Sequence, residues 1–323
     1  MKSVCLILLI WLCIHSKAQS SSNTANLNAK SVSKLPSVVV TGSSQLAHTN
    51  IETMFSSEET WRQLEETGSN IVLLSNKSLF FRALAAGIFV GFGGILTTSV
   101  GFDMGSPPWI AGNGLARFMS GAVGFPLTIL LVTMSGNGAW TGDALLAAVS
   151  CVKGTSSVMS VLRLLLVTYI GCFFGAFLMA ILATVAKLPM IGPCIELSEH
   201  KIGFNFIETL FRGIGGGCLI CMAIYMSKAS RTMSGKVLGI WFPISTYVIC
   251  DFEHCLGTMF FLLTAKLNGA TFPMMDFVKT IIPSTLGNLL GGACLVGAGL
   301  ANVPRKLSSN PNRLLSMKKK VDA

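Results

Sequence analysis

Six apolar stretches, each near the length that crosses a lipid bilayer, constrain the fold of this 323-residue chain more than any other feature. They occupy residues 79–100, 115–134, 164–186, 204–226, 238–264 and 281–303. Because hydrocarbon offers no hydrogen bonds, the backbone groups of such stretches have to pair within helices. Charged residues make up 12% of the chain, about half of what a soluble domain carries. The sequence therefore predicts an all-α membrane protein with six transmembrane helices in one domain, residues 70–304.

The charges between these stretches predict an orientation. Alternate flanks carry only basic residues, namely Lys77, Arg82, Lys153, Arg163, Lys228, Arg231 and Lys236, and a basic tail follows at residues 305–323. The flanks on the other side mix acidic and basic residues. By the positive-inside rule, both ends of the mature protein should face the cytoplasm or an equivalent compartment. The net charge of +10 is therefore expected to serve orientation and contact with anionic lipid, not nucleic-acid binding.

The first 60 residues differ from the rest of the chain. Residues 1–18 combine a lysine, a short apolar run and small residues near Ala18, which is the layout of a signal peptide. Residues 19–60 are predicted to be a Ser-rich leader or a disordered tail, and residues 19–40 contain no Asp or Glu, as is typical of transit peptides. Both interpretations stay open, so the predicted destination is the plasma membrane or the envelope of a plastid or another organelle.

Two of the six stretches are interrupted by polar residues. Met134 is followed by a Gly-rich run at residues 135–143, after which apolar residues resume. The fifth stretch contains Pro243 and then Asp251, Glu253 and His254. Irregular backbone at membrane depth is tolerated only where protein or water satisfies its polar groups. Broken second and fifth helices, in corresponding places of two halves, therefore predict a binding site at the midplane of the membrane.

Glu253 and His254 place a carboxylate and an imidazole in the middle of an apolar stretch. Ionisable groups at that depth are costly, so they usually face a bundle interior or a water-filled path and mark a functional site. An imidazole changes charge near neutral pH and can exchange a proton with a passing solute. The alternative is a packed, hydrogen-bonded histidine. Neither a metal nor another cofactor is expected, because the ten cysteines have no paired spacing and the chain has only four histidines.

Several motifs carry a resemblance to a known family. They are residues 86–93 (AGIFVGFG), Trp140-Thr141-Gly142-Asp143, Arg212-Gly213-Ile214, residues 239–245 (GIWFPIS), Phe252-Glu253-His254 and Leu286-Gly287-Asn288-Leu289. On these residues the chain resembles the formate–nitrite transporter family over about residues 79–303. The resemblance implies an aquaporin-like hourglass in each protomer of a homopentamer. It also implies transport of small monovalent weak-acid anions such as formate, nitrite and lactate, often with a proton, and no enzymatic activity.

The resemblance assigns the site position by position. His254 matches the central pore histidine with Glu253 as its structural neighbour, Lys201 matches a lysine of the outer vestibule, and Thr141 matches the threonine of the loop that breaks the second helix. The bulky constriction residues and the remaining pore positions are Phe125, Ile129, Tyr247, Ile220 and Asn288. The resemblance thus implies that an anion gathered near Lys201 is protonated near His254 and passes the constrictions as a neutral acid.

The chain also departs from the family pattern. Ala139 stands at a bulky constriction position, Gly217 stands near the histidine where the family often has asparagine, and Thr258 replaces a further asparagine. The site around His254 is therefore expected to be roomier and less hydrogen-bonded than usual. Ala139 and Gly217 together are expected to widen the pathway, so that the protein favours a larger monocarboxylate.

Two other classes of function fit the sequence less well. A neutral-solute channel like the aquaporins would share the hourglass, but the Asn-Pro-Ala motif of that class is absent. An intramembrane hydrolase would need a nucleophile–base pair or a metal cluster, and the chain contains no His-Glu-x-x-His motif.

Overall fold

The computed structural model describes residues 53–102 and 114–303, and this part of the chain is almost entirely helical. The helices are α1 Ser57–Ile71, α2 Asn76–Phe102, α3 Gly114–Met134, α4 Trp140–Val152, α5 Val158–Val185, α6 Ile191–Ile202, α7 Phe206–Ala229, α8 Met233–Ile249, α9 Cys255–Leu267 and α10 Met274–Leu300. Five of them, α2, α3, α5, α7 and α10, are long and apolar enough to cross a membrane. The helices α8 and α9 together make up the remaining span. The predicted all-α fold with six spans is confirmed.

The second span is broken where the Gly-rich run predicted it. Helix α3 ends at Met134, and α4 begins at Trp140 after Ala139, whose backbone is extended. Gly136 between them has φ +73°, a conformation that glycine adopts without a steric penalty. The α4 half-helix is only 13 residues long, so it reaches about 20 Å, which is less than the thickness of the hydrocarbon core.

The fifth span is broken at the charged residues and not at Pro243. Helix α8 continues through Pro243 and ends at Ile249, and α9 begins at Cys255 after the extended backbone of His254. The expectation that Pro243 contributes to the break is therefore wrong. The chain reverses at Asp251 instead, which has φ +55°, a region that Asp tolerates better than most residues.

Helix α3 contains a π-helical turn, Ser120–Gly124. A π-helical turn leaves some backbone groups without their regular helical hydrogen bonds, and neighbouring side chains form hydrogen bonds with them here. The indole N–H of Trp241 donates to the carbonyl of Ala122 at 2.7 Å, and the hydroxyl of Thr97 donates to the carbonyl of Ser120 at 3.4 Å. The turn is thus held by α2 and α8, which fixes the rotation of the second half of α3.

The two halves of the chain use the same packing arrangement. In the first half α2 crosses α5, and a Cβ on Gly87 would lie 2.9 Å from the Cα of Gly175. In the second half α7 crosses α10, and a Cβ on Gly213 would lie 3.1 Å from the Cα of Gly287. Small residues allow such close backbone contact between membrane helices. Each half therefore pairs its first and third spans, which leaves the broken span to face the other half.

Helix α1 lies outside the six spans and was not expected. It begins with a capping box, in which Ser56 and Glu59 exchange hydrogen bonds of 2.9 and 3.2 Å. The backbone N–H and hydroxyl of Ser56 lower the pKa of Glu59 below its ordinary value. Leu64 is completely buried, and the ring of Trp61 lies 5.0 Å from that of Tyr225 on α7.

The predicted end of the leader at residue 60 is therefore wrong. The backbone N–H of Phe55 donates to Ala229 at 2.8 Å, and Arg231 donates to the carbonyl of Thr53 at 3.0 Å. Residues 53–55 are thus hydrogen-bonded to the end of α7 and the segment that follows it, and α1 packs against α4 and α7, so the packed helical structure includes the end of the predicted leader. The predicted signal peptide at 1–18, most of the 19–60 leader and the 305–323 tail lie outside the described residues.

Candidate functional site

The two half-helices meet at their N-terminal ends. Thr141 lies in the first turn of α4, and His254 is the residue that precedes α9. The hydroxyl oxygen of Thr141 lies 3.2 Å from Nε2 of His254. The N-terminus of a helix carries the positive end of its dipole. The sequence motifs Trp140-Thr141-Gly142-Asp143 and Phe252-Glu253-His254 therefore form one electropositive midplane junction.

His254 is enclosed by aromatic rings. Its imidazole is completely buried, and the rings of Phe125 and Tyr247 lie edge-on at 6.3 and 6.1 Å. Among the described residues, Nδ1 of His254 has no hydrogen-bond partner. A buried imidazole nitrogen without a partner is costly unless a passing molecule satisfies it. The ring is thus held through Nε2, while Nδ1 is buried with its hydrogen-bonding capacity unused by the described residues.

Two cavities approach this junction from opposite ends of the bundle. The first, called here the Lys201 cavity, has a volume of about 60 Å³ and is bounded by Lys201, Phe125 and Tyr247. The second, called here the Arg82 cavity, has a volume of about 190 Å³ and is bounded by Arg82 and Ile129, among others. His254 lies between them.

The predicted constriction residues border one or the other of these two cavities. Phe125 and Ile129 are one helical turn apart on α3, so one faces the Lys201 cavity and the other faces the Arg82 cavity. Tyr247 stands against Phe125, with ring centroids 5.5 Å apart. Ala139 lies in the wall of the Arg82 cavity. Ile220 is completely buried on α7, and it belongs to the lining of neither cavity.

Glu253 is held by a lysine and a threonine. Nζ of Lys201 donates to one carboxylate oxygen at 2.6 Å, and the hydroxyl of Thr258 donates to the other at 2.7 Å. The position of Thr258 is thus well hydrogen-bonded, against the expectation drawn from the sequence. Lys201 was expected to be a free vestibule charge, but its side chain is 6% exposed and lies in an ion pair. It borders the cavity as a neutralised partner of Glu253.

A second cluster of charges at the break was missed by the sequence analysis. A guanidinium nitrogen of Arg212 donates to the carboxylate of Asp251 at 2.7 Å and to its carbonyl at 2.6 Å. Nε2 of His200 lies 2.9 Å from the same carboxylate. The guanidinium also stacks 3.8 Å above the ring of Phe204. These contacts hold Asp251 in its left-handed conformation, which costs a non-glycine residue energy.

Asn288 was expected among the pore residues, but its side chain is used entirely on the backbone. Its amide group donates to the carbonyls of Gly213 and Glu253, both at 2.8 Å, and its oxygen accepts from the N–H of Cys255 at 2.9 Å. Both N–H donors of the Asn288 amide are therefore paired, and its oxygen accepts a hydrogen bond as well. The role of Asn288 in this structure is to join α7, α10 and the break in the fifth span.

Gly217 does not widen the pathway, which corrects the expectation above. A Cβ at this position would lie 2.5 Å from the carbonyl oxygen of Asn288 and 2.7 Å from its Cα. Gly217 therefore belongs to the close crossing of α7 and α10, where a side chain would meet the backbone of Asn288. Its small size is required by helix packing.

The described residues offer little to a metal ion. No group of three or more His, Cys, Asp or Glu side chains in residues 53–102 and 114–303 is arranged to hold one. No disulfide joins the cysteines of these two segments, and most of these cysteines are buried.

Comparisons with known proteins agree with this architecture. A family model described as "Formate/nitrite transporter" matches residues 58–301. A protein of Methanothermobacter thermautotrophicus named "Probable formate transporter" is 30% identical over 230 residues, which cover 65% of this chain and 83% of the relative.

Two solved structures share the fold. An "FNT family ion channel" has a TM-score of 0.70 at 21% identity and covers 76% of this chain and 100% of its own. A "Pentameric formate channel with formate bound" has a TM-score of 0.62 at 24% identity and covers 70% and 96%.

Proposed function

Because this chain belongs to the formate/nitrite transporter family, we propose that it carries small monovalent weak-acid anions, such as formate, nitrite or lactate, across a membrane together with a proton. One observation carries the proposal: the contact between Thr141 and His254 joins two half-helix N-termini between two cavities. A relative is named for formate transport, and a structural neighbour holds formate. We propose that the protein resides in the plasma membrane or in an organelle envelope, because its first residues have the sequence features of a signal or transit peptide.

Apolar side chains on both sides of the junction make the charge of a solute decisive for its passage. Phe125 and Tyr247 close one side of the junction, and Ile129 closes the other. Burying an unpaired anion between such groups is far more costly than burying a neutral molecule. Protonation of the anion at the junction removes most of that cost. The positive ends of α4 and α9 stabilise the anion before it is protonated.

The imidazole of His254 supports the proton step. Its Nε2 faces a hydroxyl that can either donate or accept, so Thr141 accommodates both tautomers of the ring and its protonated form. Nδ1 is buried and has no partner among the described residues, so it is the ring nitrogen whose hydrogen bond a solute would complete. We assign the proton exchange with the solute to this ring. Lys201 then acts on the solute mainly through Glu253, whose carboxylate it positions.

The assembly that we propose is a homopentamer with one pathway in each protomer. A structural neighbour is pentameric, and the single chain exposes apolar side chains along α5, including Met159 at 74%, Leu166 at 63% and Val185 at 76%. These side chains would be covered by lipid or by a neighbouring protomer. Cross-linking and mass measurement of the protein in a mild detergent test the number of subunits.

The transport proposal is tested by flux into proteoliposomes. Labelled formate, nitrite and lactate are offered at pH 5.5 and 7.5, with and without a proton gradient. Uptake that follows the gradient for at least one monoacid is expected. Uptake of glycerol or water without monoacid flux would favour a neutral-solute channel. Monoacid uptake that ignores the proton gradient would contradict the proton linkage but not the substrate class.

The role of His254 is tested with two variants. His254→Phe keeps an aromatic ring and removes the nitrogens, and it should abolish the response of flux to the proton gradient. Thr128→Val is the matched control, because Thr128 is equally buried on α3 but touches neither cavity. If His254→Phe keeps the wild-type response of flux to pH, the imidazole of His254 does not take part in the proton exchange.

A further inference from the structure

Asp143 is a buried carboxylate that the proposed mechanism does not yet use. It lies in the first turn of α4, two residues after Thr141, and is 2% exposed. Its side chain borders the Arg82 cavity. In the part of the chain that the structure describes, no hydrogen bond or ion pair reaches this carboxylate. A carboxylate in such a position is costly unless it is protonated or meets a solute.

Gly138 provides the space that this carboxylate occupies. A Cβ built on Gly138 would collide with both carboxylate oxygens of Asp143. The backbone N–H of Asp143 donates to the carbonyl of Ala139 at 2.9 Å, which fixes the start of α4. The side chain therefore folds back over the loop of the break and faces the cavity. This arrangement depends on glycine at position 138.

The charged groups that share the cavity are basic. They are Arg82 from α2, Lys228 from α7 and Lys236 from α8. Among the groups described, none of the three comes within 4.0 Å of the Asp143 carboxylate, and Arg82 acts on it only by longer-range attraction. Helix α1 adds the hydroxyl of Thr67, to which Lys228 donates at 3.5 Å. His254, which precedes α9, contacts Thr141, and Thr141 lies two residues before Asp143 on α4.

We propose that Asp143 is a proton-exchanging residue of the Arg82 cavity, which passes a proton to and from the carboxylate of the transported monoacid. The proposal rests on the transport function proposed above. The basic residues draw an anion into the cavity, where an ionised Asp143 would repel it and a protonated Asp143 can donate to it. The pathway would then contain two proton-exchanging groups in series, His254 at the junction and Asp143 on the Arg82 side.

The proton balance of this step is simple. The O–H bond of the Asp143 carboxyl breaks, and an O–H bond forms on the carboxylate of the solute. The neutral acid moves past Ile129, and the Asp143 carboxylate remains in the field of Arg82. A second proton, taken from the bulk solution on the Arg82 side and carried by water in the cavity, then re-forms the O–H bond of Asp143.

The experiment compares Asp143→Asn with Asp143→Glu in vesicles that hold the protein in one orientation. Labelled formate is the probe, and the pH is varied only on the side of the Arg82 cavity. In Asp143→Asn we expect the change in flux between pH 5 and 8 on that side to fall about tenfold, with the response on the opposite side kept. Asp143→Glu should keep the response on both sides.

The control is Asp276→Asn. Asp276 lies in the first turn of α10, pairs with Lys279 at 3.5 Å and borders neither of the two cavities of the pathway. This variant removes a carboxylate of the same kind and should leave both pH profiles unchanged.

The outcomes are distinct. If Asp143→Asn keeps the wild-type pH response on the Arg82 side, or lowers flux by one factor at every pH, the proposal is overturned while the transport function stands. If the wild-type protein carries no monoacid, the transport function itself fails. If Asp143→Asn does not assemble, Gly138→Ala decides, because it keeps the carboxyl but displaces it. A wild-type pH profile in Gly138→Ala would then overturn the proposal.

Discussion

Nζ of Lys201 lies 2.6 Å from a carboxylate oxygen of Glu253, and the two side chains are 6% and 0% exposed. The residues come from different elements, since Lys201 lies in the last turn of α6 and Glu253 lies in the break between α8 and α9. The pair joins a short helix at the mouth of the Lys201 cavity to the midplane. Its charges cancel, so long-range attraction of anions is weaker than an unpaired lysine would give.

The first prediction concerns this pair. Lys201→Ala leaves the Glu253 carboxylate buried with only the hydroxyl of Thr258 as a donor. Breaking a buried ion pair from one side typically costs about 3–5 kcal/mol. We expect a lower melting temperature and a loss of flux that high substrate concentration does not restore. Thermal unfolding in detergent and flux against formate concentration measure both effects.

The double variant Lys201→Met with Glu253→Gln separates charge from packing. It removes both charges and should recover most of the lost stability, because no unpaired charge remains. If Lys201→Ala changes only the apparent KM and leaves the melting temperature unaltered, the lysine acts as a free vestibule charge and the ion pair has little energetic role.

The second prediction concerns Thr141. Thr141→Val has nearly the same shape but leaves Nε2 of His254 without its partner at 3.2 Å. An unsatisfied buried nitrogen costs about 1–3 kcal/mol, which corresponds to a fall in flux of roughly 5- to 150-fold. Thr141→Ser keeps the hydroxyl and serves as the control. Equal formate flux in the two variants would show that this hydrogen bond does not matter for transport.

The third prediction concerns Gly217, whose assigned role the structure changes. Gly217→Ala places a methyl group against the backbone of Asn288 and forces α7 and α10 apart. Such overpacking typically costs about 1–3 kcal/mol. We expect a lower melting temperature with an unchanged ratio of lactate flux to formate flux. Gly192→Ala on α6 is the matched control, since a Cβ there meets nothing within 4 Å. A changed ratio of lactate flux to formate flux in Gly217→Ala would show that Gly217 does line the pathway.

The fourth prediction concerns Ala139, which borders the Arg82 cavity beside Ile129. Ala139→Leu adds three carbon atoms to the cavity wall and should hinder a larger solute more than a smaller one. A pocket discriminates by about 1–3 kcal/mol for each methylene group. Lactate flux should therefore fall at least about tenfold more than formate flux on that scale. Ala139→Val should have an intermediate effect, and equal losses for both solutes would contradict the assignment.

The fifth prediction concerns the cap of α1. Glu59 has a lowered pKa because Ser56 donates to its carboxylate. A carboxyl group whose pKa is lower in the folded state stabilises that state at pH values above its pKa in the unfolded state. This stabilisation is lost as the pH falls through its pKa in the folded state. Ser56→Ala should therefore destabilise α1 at neutral pH but have less effect well below about pH 4. Hydrogen exchange of α1 amides at both pH values checks this, and a pH-independent effect would exclude the capping box as the cause.

Hydropathy and turn chemistry were enough to predict the spans and their breaks. The Gly-rich run after Met134 and the charges at 251–254 mark the two interruptions because both are incompatible with a lipid-facing helix. The leader boundary failed for a different reason. Helix α1 is polar on average and short, so hydropathy does not detect it, although the Ser56 to Glu59 capping box was visible in the sequence.

The site was harder to predict because its contacts join distant residues. Lys201 and Glu253 are 52 positions apart, and Thr141 and His254 are 113 apart. Sequence patterns identify such residues one by one but do not say which of them touch. The orientation of Gly217 depends on how α7 rotates against α10, which no local pattern specifies. The contact between Asp251 and Arg212 was missed for the same reason.

The hydrogen bonds of Asn288 have a mechanical consequence. A gap in a helix is normally a place where a protein can bend, and two such gaps would suggest a transporter that rocks between open states. In this protein one amide clamps the gap of the fifth span to two continuous helices. The gap is therefore expected to behave as a rigid joint and not as a hinge. Access to the midplane would then alternate through the movement of protons and single side chains, while the helical frame stays in place.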